Sequence, residues 1–409
     1  MQVLYIDGVG PFGGASRSLY EALRALPKGE VEVYFVAVHG SVAPYYSELA
    51  NDIIYAWGLT RFDNTKYSYY HGLRWLVVLR ELVYLPLTLF AITSAKLRWK
   101  NIDLIHVNEI TEILPMLIAR WLFKVPVVVH VRSMARKDNK SRRCRWINGV
   151  LRNKVAAVVA IDESVKASLP DDLSVDVIHN SFTPKYAANP DGEFLSKIIQ
   201  LNTSSFKVGF VGNLQMAKGL FDLLDAAKIV CEGGHNVEFL IVGDVARKDE
   251  GFKSWILKIL GLAQDIKSDL LNKIEQYGLA NNFYLLGATH DIQRAYEQFD
   301  VICFPSHFDA PGRPIFEAAF SGVPSIAAIN EPKPDTLIHN ETGLAVPPKN
   351  PEKLAKAILH FVKNPSEKRR MGENARTLAE ANFSATSNAE KILAIYHRIL
   401  KRNTLVVLN

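Results

Sequence analysis

Features of secreted, metal-binding and membrane-spanning proteins are scarce in this sequence. Its 409 residues include three cysteines, Cys144, Cys231 and Cys303, which lie far apart and without metal-ligand spacing. An odd, scattered set of cysteines indicates reduced thiols in a cytosol-like compartment, and no bound metal is predicted. The start, MQVLYIDGVG, has no basic segment before an apolar run, so we expect no secretory signal.

Long apolar runs are also missing. The nearest candidate, LVYLPLTLFAITSA from Leu82 to Ala95, has 14 residues, contains Pro86 and is flanked by Glu81 and Lys96. A bilayer span requires about 20 apolar residues. We therefore expect this segment to be buried or to lie at an interface rather than to cross a membrane.

The formal net charge is a mild +6, but its distribution is uneven. The stretch from Arg132 to Lys154 is strongly basic and contains one acid, Asp138. Such a patch attracts phosphate-rich surfaces such as lipid headgroups, unless it is simply a solvated loop face. No aromatic interleaving or nucleic-acid motif accompanies it, so no nucleic-acid partner is expected.

Short apolar runs alternate with helical patterns along the whole chain, which predicts a doubly wound α/β fold with parallel sheets. A chain of this length also exceeds one ordinary core, so two domains are expected. The predicted strands are Val3–Ile6, Val31–Val38, Ile102–Val107, Pro126–Val131, Ala156–Ile161 and Val175–Asn180 in the first half, and Lys207–Gly212, Val237–Gly243, Asn282–Gly287, Asp300–Ser306, Pro324–Ala328 and Gly343–Pro348 in the second.

The polar stretch Thr183–Phe194 separates the two sets of strands. We predict Rossmann-like domains at residues 1–185 and 203–380, and a C-terminal helix and tail at 381–409 that returns to the first domain. Ligands of open α/β sheets bind outside the carboxyl ends of the strands. With two sheets facing each other, the site is expected in the cleft between them.

The N-terminal GVGPFG, Gly8–Gly13, matches a dinucleotide-binding pattern. Pro11 inside the turn, and a second strand that ends FVAVHG without a ribose-binding acid, argue against NAD or FAD. Gly13 and Gly14 instead precede a predicted helix, where exposed amides and the helix dipole suit a phosphate or sugar. The alternative is a plain strand-to-helix turn.

Two stretches of the second half suggest phosphate binding. In FVGNLQMAKG a strand ends at Gly212, and Lys218 precedes a helix whose N-terminus favours anions. Lys218 is otherwise a surface lysine. The stretch Phe308–Ala328, FDAPGRPIFEAAFSGVPSIAA, places two acids around a glycine and an arginine.

The two acids have distinct expected roles. Glu317 can accept two neighbouring ribose hydroxyls, and Asp309 can bond a sugar hydroxyl. Gly312 allows close approach of a diphosphate, which Arg313 can bind through two hydrogen bonds. Helix capping or dipole compensation is the usual alternative for a single acid.

These residues resemble the retaining GT-B glycosyltransferases of family 4, and the resemblance covers nearly the whole chain. The similar segments are GGASRSL (the double-glycine turn), VIHNSF (the strand end before the domain linker), GNLQMAKG (the G-R-L-x-x-x-K-G loop), FDAPGRPIFE (the E-x7-E segment, with Asp309 in place of the first Glu) and DTLIHNETGLAVPP (a later glycine turn).

The resemblance implies a GT-B fold, a nucleotide-sugar donor (a UDP-sugar by family frequency) bound to the second domain, and an acceptor on the first. It implies no metal or cofactor. Lys218 would contact the diphosphate, Glu317 the ribose and Asp309 the donor sugar. The predicted donor-binding residues are Gly13, Gly14, Asn213, Lys218, Gly287, Asp309, Gly312, Arg313, Pro314 and Glu317. The predicted catalytic residues are Asp309, Glu317, Lys218, His130 and Arg132.

The sequence departs from the family at two places. Asn213 replaces the loop arginine, and we hypothesise that Arg313 supplies the missing charge. The strand PVVVHVRS ends with Arg132 where many members have histidine, and His130 lies two residues earlier. Either residue faces the donor sugar, or His130 is a core residue.

Aromatic and apolar residues in Lys66–Phe90, and in SWILKILGLA from Ser254, suggest with the basic patch a protein on an anionic membrane face. This would fit a lipid-linked acceptor in surface-polysaccharide assembly and a cytoplasmic protein, peripheral if these segments bind lipid. The alternative is packing in the core or in an oligomer interface. Rival functions are an NDP-sugar epimerase, a phosphorylase-like enzyme, and a catalytically degenerate nucleotide-sugar-binding subunit.

Overall fold

The computed structural model describes residues 1–189, 191–244 and 266–407. The chain divides into two compact units, Met1–Thr183 with Asn382–Asn409 (unit 1) and Pro184–Ala381 (unit 2). The segment SWILKILGLA from Ser254 lies outside the described residues. Each unit contains a parallel sheet with helices, which confirms the predicted doubly wound α/β class.

The sheet of unit 1 has seven parallel strands in the order β3-β2-β1-β4-β5-β6-β7. The strands are β1 Gln2–Asp7, β2 Glu32–Val38, β3 Asp52–Ala56, β4 Leu104–Val107, β5 Val127–Val131, β6 Ala157–Ala160 and β7 Val175–Val177. Central strands such as β5 are buried along their whole length because helices cover both faces. The edge strand β3 was missing from the sequence prediction. Its sequence, DIIYA, is short and only partly buried, so the apolar signal is weak.

Helices cover the sheet of unit 1. They are α1 Gly14–Arg24, α2 Ala43–Leu49, α3 Val77–Arg98, α4 Ile113–Phe123, α5 Arg142–Lys154, α6 Glu163–Ala167 and the C-terminal α14 Ala385–Val407, with 3₁₀ turns at Gly72–Leu76 and Ile110–Glu112. Side chains cap several helix starts. For example, Asp162 accepts a hydrogen bond from the backbone N–H of Val165 at 2.6 Å and so begins α6.

The C-terminal helix α14 packs on the first half of the chain, as the sequence predicted. Its Ile392 and Tyr396 belong to the same buried cluster as Tyr5 and Leu19. The hydroxyls of Tyr5 and Tyr396 lie 3.1 Å apart. The last helix therefore completes the core of unit 1.

The described part of unit 2 has six parallel strands in the order β10-β9-β8-β11-β12-β13. The strands are β8 Phe206–Val211, β9 Val237–Val242, β10 Phe283–Gly287, β11 Val301–Phe304, β12 Ser325–Ala328 and β13 Gly343–Val346. The helices are α7 Gly192–Ile199, α8 Leu220–Glu232, α9 Ile266–Gln276, α10 Ile292–Tyr296, α11 Arg313–Ala319, α12 Pro351–Lys363 and α13 Pro365–Phe383, with a 3₁₀ turn at Met216–Lys218.

Each sheet changes its direction of winding once, between β1 and β4 in unit 1 and between β8 and β11 in unit 2. The loops after two such strands leave toward opposite faces and open a crevice at the carboxyl edge, where ligands of α/β sheets bind. The predicted residues Lys218 and Asp309 follow β8 and β11.

Helix α3 is longer than its central apolar run suggested. Among the described residues, Gly72–Arg98 is one helical stretch that is long and apolar enough to cross a membrane by length and composition. Of its most apolar 18 residues, 22% are buried. The expectation that no segment reaches that length was therefore wrong. The predicted apolar run ended at the charged residues Glu81 and Lys96, whereas the helix includes both.

Candidate functional site

We call the place where the sheet of unit 2 changes its direction of winding its switch point. It is formed by the loop after β8 and the loop after β11. Gly219, between the 3₁₀ turn and α8, has a φ of +72°, and a Cβ there would lie 1.8 Å from the carbonyl oxygen of Pro305. Only glycine fits this position. The backbone N–H of His307 donates to the carbonyl of Ala217 at 3.0 Å. The two loops are thus held directly against each other.

Lys218 lies where these loops meet. Its Nζ is 5.6 Å from the centroid of the Phe304 ring and 6.0 Å from that of Phe308. Burial lowers the pKa of Lys218 from its usual value. A cation that has lost part of its hydration gains more from an incoming anion than an exposed one does. Lys218 is thus half-buried and its surroundings suit a phosphate, and its contact with a diphosphate stays a prediction.

Glu317 is the fifth residue of α11 and is buried, with 3% of its surface exposed. Its Oε1 accepts a hydrogen bond from Nε of Arg313 at 2.7 Å, and its Oε2 accepts one from the Tyr296 hydroxyl at 2.6 Å. These two donors orient the carboxylate. The structure places Arg313 on Glu317, so its predicted contact with a diphosphate stays a prediction. Tyr296 was not found from the sequence.

Asp309 has a φ of +45°, a left-handed conformation that Asp tolerates better than most residues. Its two carboxylate oxygens accept hydrogen bonds from the backbone N–H of Asn330 at 2.8 Å and from the Asn330 side-chain amide at 3.1 Å. Asn330 follows β12 and was missed, because the sequence does not show that β11 and β12 are neighbours. The N-cap of α11 is Gly312, which has no side-chain cap, so Asp309 does not serve as a helix cap.

The other predicted donor-binding residues of unit 2 lie along the same carboxyl edge or next to it. Gly312 packs so closely on Phe304 that a Cβ would lie 2.1 Å from the ring. Pro314 is in the first turn of α11. Gly287 ends β10, and its carbonyl accepts the N–H of Gly243 at 2.8 Å. Asn213 is exposed in the loop after β8.

In unit 1, Arg132 follows β5 and is 8% exposed. Its Nε donates to the amide oxygen of Asn108 at 2.6 Å and its NH1 donates to that of Asn180 at 3.1 Å. Its NH2 lies 3.4 Å from Nδ1 of His130. Burial and, to a lesser degree, the charge of Arg132 hold the pKa of His130 well below its usual value, so His130 is neutral. His130 is thus a core residue bonded to Arg132. Contact of either residue with a sugar stays a prediction.

A set of buried acids surrounds this arginine and was missed by the sequence reasoning. Asp7 ends β1 and accepts hydrogen bonds from the Tyr46 hydroxyl, from the Asn108 amide at 3.1 Å and from the Val9 N–H at 3.0 Å. Glu112 accepts the Gly8 N–H at 2.5 Å. Their positions in the sequence could have indicated that they lie together, because Asp7, Asn108 and Arg132 each end or directly follow a strand.

The same network reaches the C-terminal helix. Nδ1 of His106 lies 2.5 Å from the hydroxyl of Tyr396. Burial and the charge of Arg132 lower the pKa of His106 to about 3. His106 is therefore a neutral residue that links α14 to β4, and it serves the core of unit 1.

Gly13 and Gly14 begin α1 and are exposed. The N–H of Gly13 already donates to the carbonyl of Pro11 at 2.9 Å and to the Ser16 hydroxyl at 3.1 Å. The N–H of Gly13 is therefore satisfied within the turn, as in the alternative of a plain strand-to-helix turn. Donor binding by these two glycines stays a prediction.

Comparison with known protein families agrees with this arrangement. The family model described as Glycosyl transferases group 1 matches residues 191–378, and that described as Glycosyltransferase Family 4 matches residues 12–185. The chain belongs to these glycosyltransferases. The two matches cover most of each unit, and they confirm the resemblance found in the sequence motifs.

Relatives of this glycosyltransferase include the capsular polysaccharide biosynthesis glycosyltransferase CapM of Staphylococcus aureus, with 26% identity over 60% of this chain and 62% of CapM. The match thus spans less than two thirds of that relative. The Escherichia coli UDP-Gal:alpha-D-GlcNAc-diphosphoundecaprenol alpha-1,3-galactosyltransferase is 25% identical over 73% of this chain and 76% of its own.

Among solved structures, Anabaena HepE in complex with UDP-glucose is similar, with a TM-score of 0.70, 21% identity and 99% of both chains covered. At this identity the likeness shows the fold. It confirms the GT-B class, in which each of the two units is Rossmann-like.

Proposed function

We propose that this glycosyltransferase transfers a sugar from a UDP-sugar to a saccharide or lipid-linked acceptor, with retention of anomeric configuration. The observation that carries the proposal is the position of Lys218 and Glu317. One follows β8 and the other lies on the helix after β11, so both belong to the switch point of unit 2. In this proposal the diphosphate binds Lys218, the ribose binds Glu317 and the donor sugar reaches Asp309. The acceptor is assigned to unit 1.

The chemistry of these groups supports the assignment. A nucleoside diphosphate has two features that a site must recognise, a charged pyrophosphate and a ribose diol. The partly desolvated ammonium of Lys218 suits the pyrophosphate, and the oriented carboxylate of Glu317 suits a pair of hydroxyls. Anabaena HepE has been crystallised with UDP-glucose, which favours uridine as the base.

The printed names of relatives support the acceptor class. CapM acts in capsular polysaccharide biosynthesis, and the Escherichia coli relative is named for a diphosphoundecaprenol-linked sugar. The first name points to a polysaccharide of the cell surface, and the second to an acceptor sugar linked to a lipid diphosphate. We therefore propose an acceptor of that kind, and the lipid-linked form is the one to test first.

The transfer breaks the bond between the anomeric carbon and the phosphate oxygen and forms one from that carbon to the acceptor oxygen. Negative charge grows on the departing diphosphate, and a fixed cation such as Lys218 lowers the barrier by stabilising it. The departing phosphate oxygen takes the proton of the acceptor hydroxyl, which balances the step. No protein nucleophile on the opposite face is needed.

Release of UDP in the presence of candidate donors and a lipid extract tests this proposal. We expect UDP release that depends on both, together with a labelled product that retains the donor's anomeric configuration. Epimerisation of a donor without acceptor would favour the epimerase. Binding without turnover would favour a degenerate subunit, for which the absence of the loop arginine at Asn213 is the specific argument. A thermal-shift panel of nucleotide sugars would identify the donor.

A further inference from the structure

The outer side of α3 and the 3₁₀ turn before it exposes an unusual number of large apolar side chains. We call this set the apolar face: Leu73, Trp75, Leu76, Leu79, Leu82, Val83, Leu89, Phe90 and Leu97. Exposure reaches 67% for Val83 and 74% for Phe90. Soluble proteins rarely leave contiguous apolar patches of this kind uncovered, so the face is expected to contact an apolar partner.

The opposite side of α3 is part of the fold of unit 1. Glu81 and Thr88 are buried there. The backbone N–H of Arg61 donates to Glu81 Oε2 at 2.7 Å, and the N–H of Thr60 donates to Thr88 Oγ1 at 2.8 Å. A helix anchored to the core in this way does not leave it to cross a bilayer. The geometry instead suits a helix that lies in the plane of an interface.

An aromatic cluster joins the apolar face to the basic helix α5. Trp75 stacks near Tyr70 at 5.6 Å between ring centroids, and Tyr70 lies 5.7 Å from Phe62, which meets Trp146 of α5 edge-on at 5.6 Å. The guanidinium of Arg143 lies 4.9 Å from the Trp75 ring. Tyr70 is buried beneath this cluster, and the contact of Arg143 with Trp75 brings the apolar face next to the N-terminal half of α5.

Three basic side chains at or just before the start of α5 point outward, while Arg143 packs on Trp75. Lys140, Arg142 and Arg145 are exposed, and we call these three the basic rim. Arg142 lies one helical turn before Trp146, so charge and aromatic surface adjoin. Aromatic and apolar side chains bordered by Lys and Arg are the composition of a surface that inserts shallowly among anionic lipid headgroups.

We propose that the apolar face and the basic rim dock unit 1 on the surface of an anionic phospholipid bilayer. The apolar side chains enter the headgroup boundary, and the basic rim pairs with lipid phosphates. A second copy of this chain would explain the apolar face alone. It would not explain the basic rim, because two such surfaces brought together repel each other.

Flotation of the purified full-length protein with vesicles tests the proposal without any sugar substrate, so its result is independent of the transferase activity. We expect the protein to float with vesicles of phosphatidylcholine and phosphatidylglycerol at low salt. Binding should be weaker with pure phosphatidylcholine and at high salt. No flotation, or equal binding to both vesicles, would overturn the proposal.

Two pairs of substitutions assign the binding to this surface. Leu79→Ser with Val83→Ser should reduce the partition coefficient by roughly tenfold or more. Arg142→Gln with Arg145→Gln should reduce it by about 30-fold at low salt. The matched controls in unit 2 are Ile199→Ser, on an exposed isoleucine, and Lys353→Gln with Lys356→Gln, on exposed lysines. Equal losses in the controls would overturn the assignment.

Further measurements distinguish lipid binding from loss of folding, from dimerisation and from a membrane-spanning helix. Circular dichroism melts of each variant show that the loss of binding is not a loss of folding, since all these side chains are exposed. Sedimentation velocity showing a dimer that Leu79→Ser with Val83→Ser dissociates, with vesicle binding unchanged, would assign the face to a second copy and overturn the proposal. Retention in membranes after alkaline carbonate extraction would show a spanning helix and overturn it as well.

Discussion

Arg313 and Glu317 lie one turn apart on α11 and form a buried ion pair, with Arg313 Nε 2.7 Å from Glu317 Oε1. The side chains are 13% and 4% exposed. The proposed ribose-binding carboxylate is therefore held by the residue that the sequence proposed as a phosphate cation. Breaking such a pair removes a charge partner from a buried carboxylate, so the pair affects stability as well as ligand binding.

Replacement of this arginine should reveal both effects. Arg313→Ala is expected to lower the free energy of unfolding by about 3–5 kcal/mol, because the buried carboxylate of Glu317 loses this charge partner. UDP affinity, measured by calorimetry on the folded variant, should also fall. Arg376→Ala removes an exposed pair with Glu380 in the same unit and should cost at most about 1 kcal/mol. Unchanged UDP affinity in Arg313→Ala would reject the idea that Arg313 supplies the charge missing at Asn213.

Lys218 should give UDP binding a distinctive pH dependence. Its folded pKa is depressed by burial, so in the free protein it loses its proton at a lower pH than an exposed lysine does. UDP affinity should therefore begin to fall before the ordinary lysine range of about 10.4 is reached. Lys218→Arg should flatten that fall. Lys218→Met should weaken UDP binding most at neutral pH, and its difference from the native protein should shrink as the native lysine loses its proton. Titrations from neutral to alkaline pH, with the exposed Lys356→Met as control, provide the measurement. An identical pH profile in Lys218→Met would contradict the assignment.

Much of the fold was predictable because parallel strands are buried on both faces and read as short apolar runs. The loop around Lys218 and the turn around Glu317 were also predictable, since glycines, a lysine and acids at strand ends are local signals. The partners of these residues were not. Asn330 meets Asp309, and Tyr296 meets Glu317, only because distant segments converge, and no local pattern encodes that convergence.

The edge strand β3 and the true length of α3 were missed for a related reason. Partly buried or exposed elements do not show a clean period in the sequence. In α3 the two charges Glu81 and Lys96 interrupt the apolar run, although the first faces the core and bonds to it. A similar reason applies to Asp7 and Glu112, which are buried acids that a sequence assigns to the surface by default.

We expect Asn330 to affect transfer of the donor sugar and not binding of the nucleotide. Asn330→Ala removes the side-chain amide bond to Asp309 and keeps the backbone N–H bond, so the acid is held less firmly. We expect kcat/KM to fall by about tenfold, the scale of one lost positioning contact, with UDP affinity unchanged. The exposed Asn281→Ala, which lies before β10 in the same unit, serves as a control. A loss of UDP affinity in Asn330→Ala equal to the loss in kcat/KM would contradict the assignment.

Asp309 itself offers a test of its backbone conformation. Asp309→Asn keeps a residue type that tolerates positive φ, whereas Asp309→Ala adds backbone strain of about 1 kcal/mol or more. The melting temperature of Asp309→Asn should thus be higher than that of Asp309→Ala, while both variants lose turnover. Equal stability of the two variants would show that the left-handed conformation at this position carries no cost.

Glu112 should make the stability of unit 1 depend on pH. Burial first, and then the nearby charge of Asp7, raise the pKa of Glu112 well above its usual value. A raised folded pKa stabilises the protein fully below the unfolded value of about 4.3, and this stability is lost as pH rises through the folded pKa. Glu112→Gln stays neutral and can still accept the Gly8 N–H. Its stability relative to the native chain should therefore increase from pH 5 to pH 8 in denaturant titrations. The exposed Glu193→Gln should show no such trend. If the free energy of unfolding changes with pH by the same amount in the native protein and in Glu112→Gln, the assignment to Glu112 is wrong.

The most direct test of the central claim is a crystal structure of the protein with UDP. The account predicts pyrophosphate oxygens within hydrogen-bond distance of Lys218 Nζ, and ribose hydroxyls on the carboxylate of Glu317. A nucleotide bound elsewhere, or one whose diphosphate and ribose avoid both residues, would contradict it.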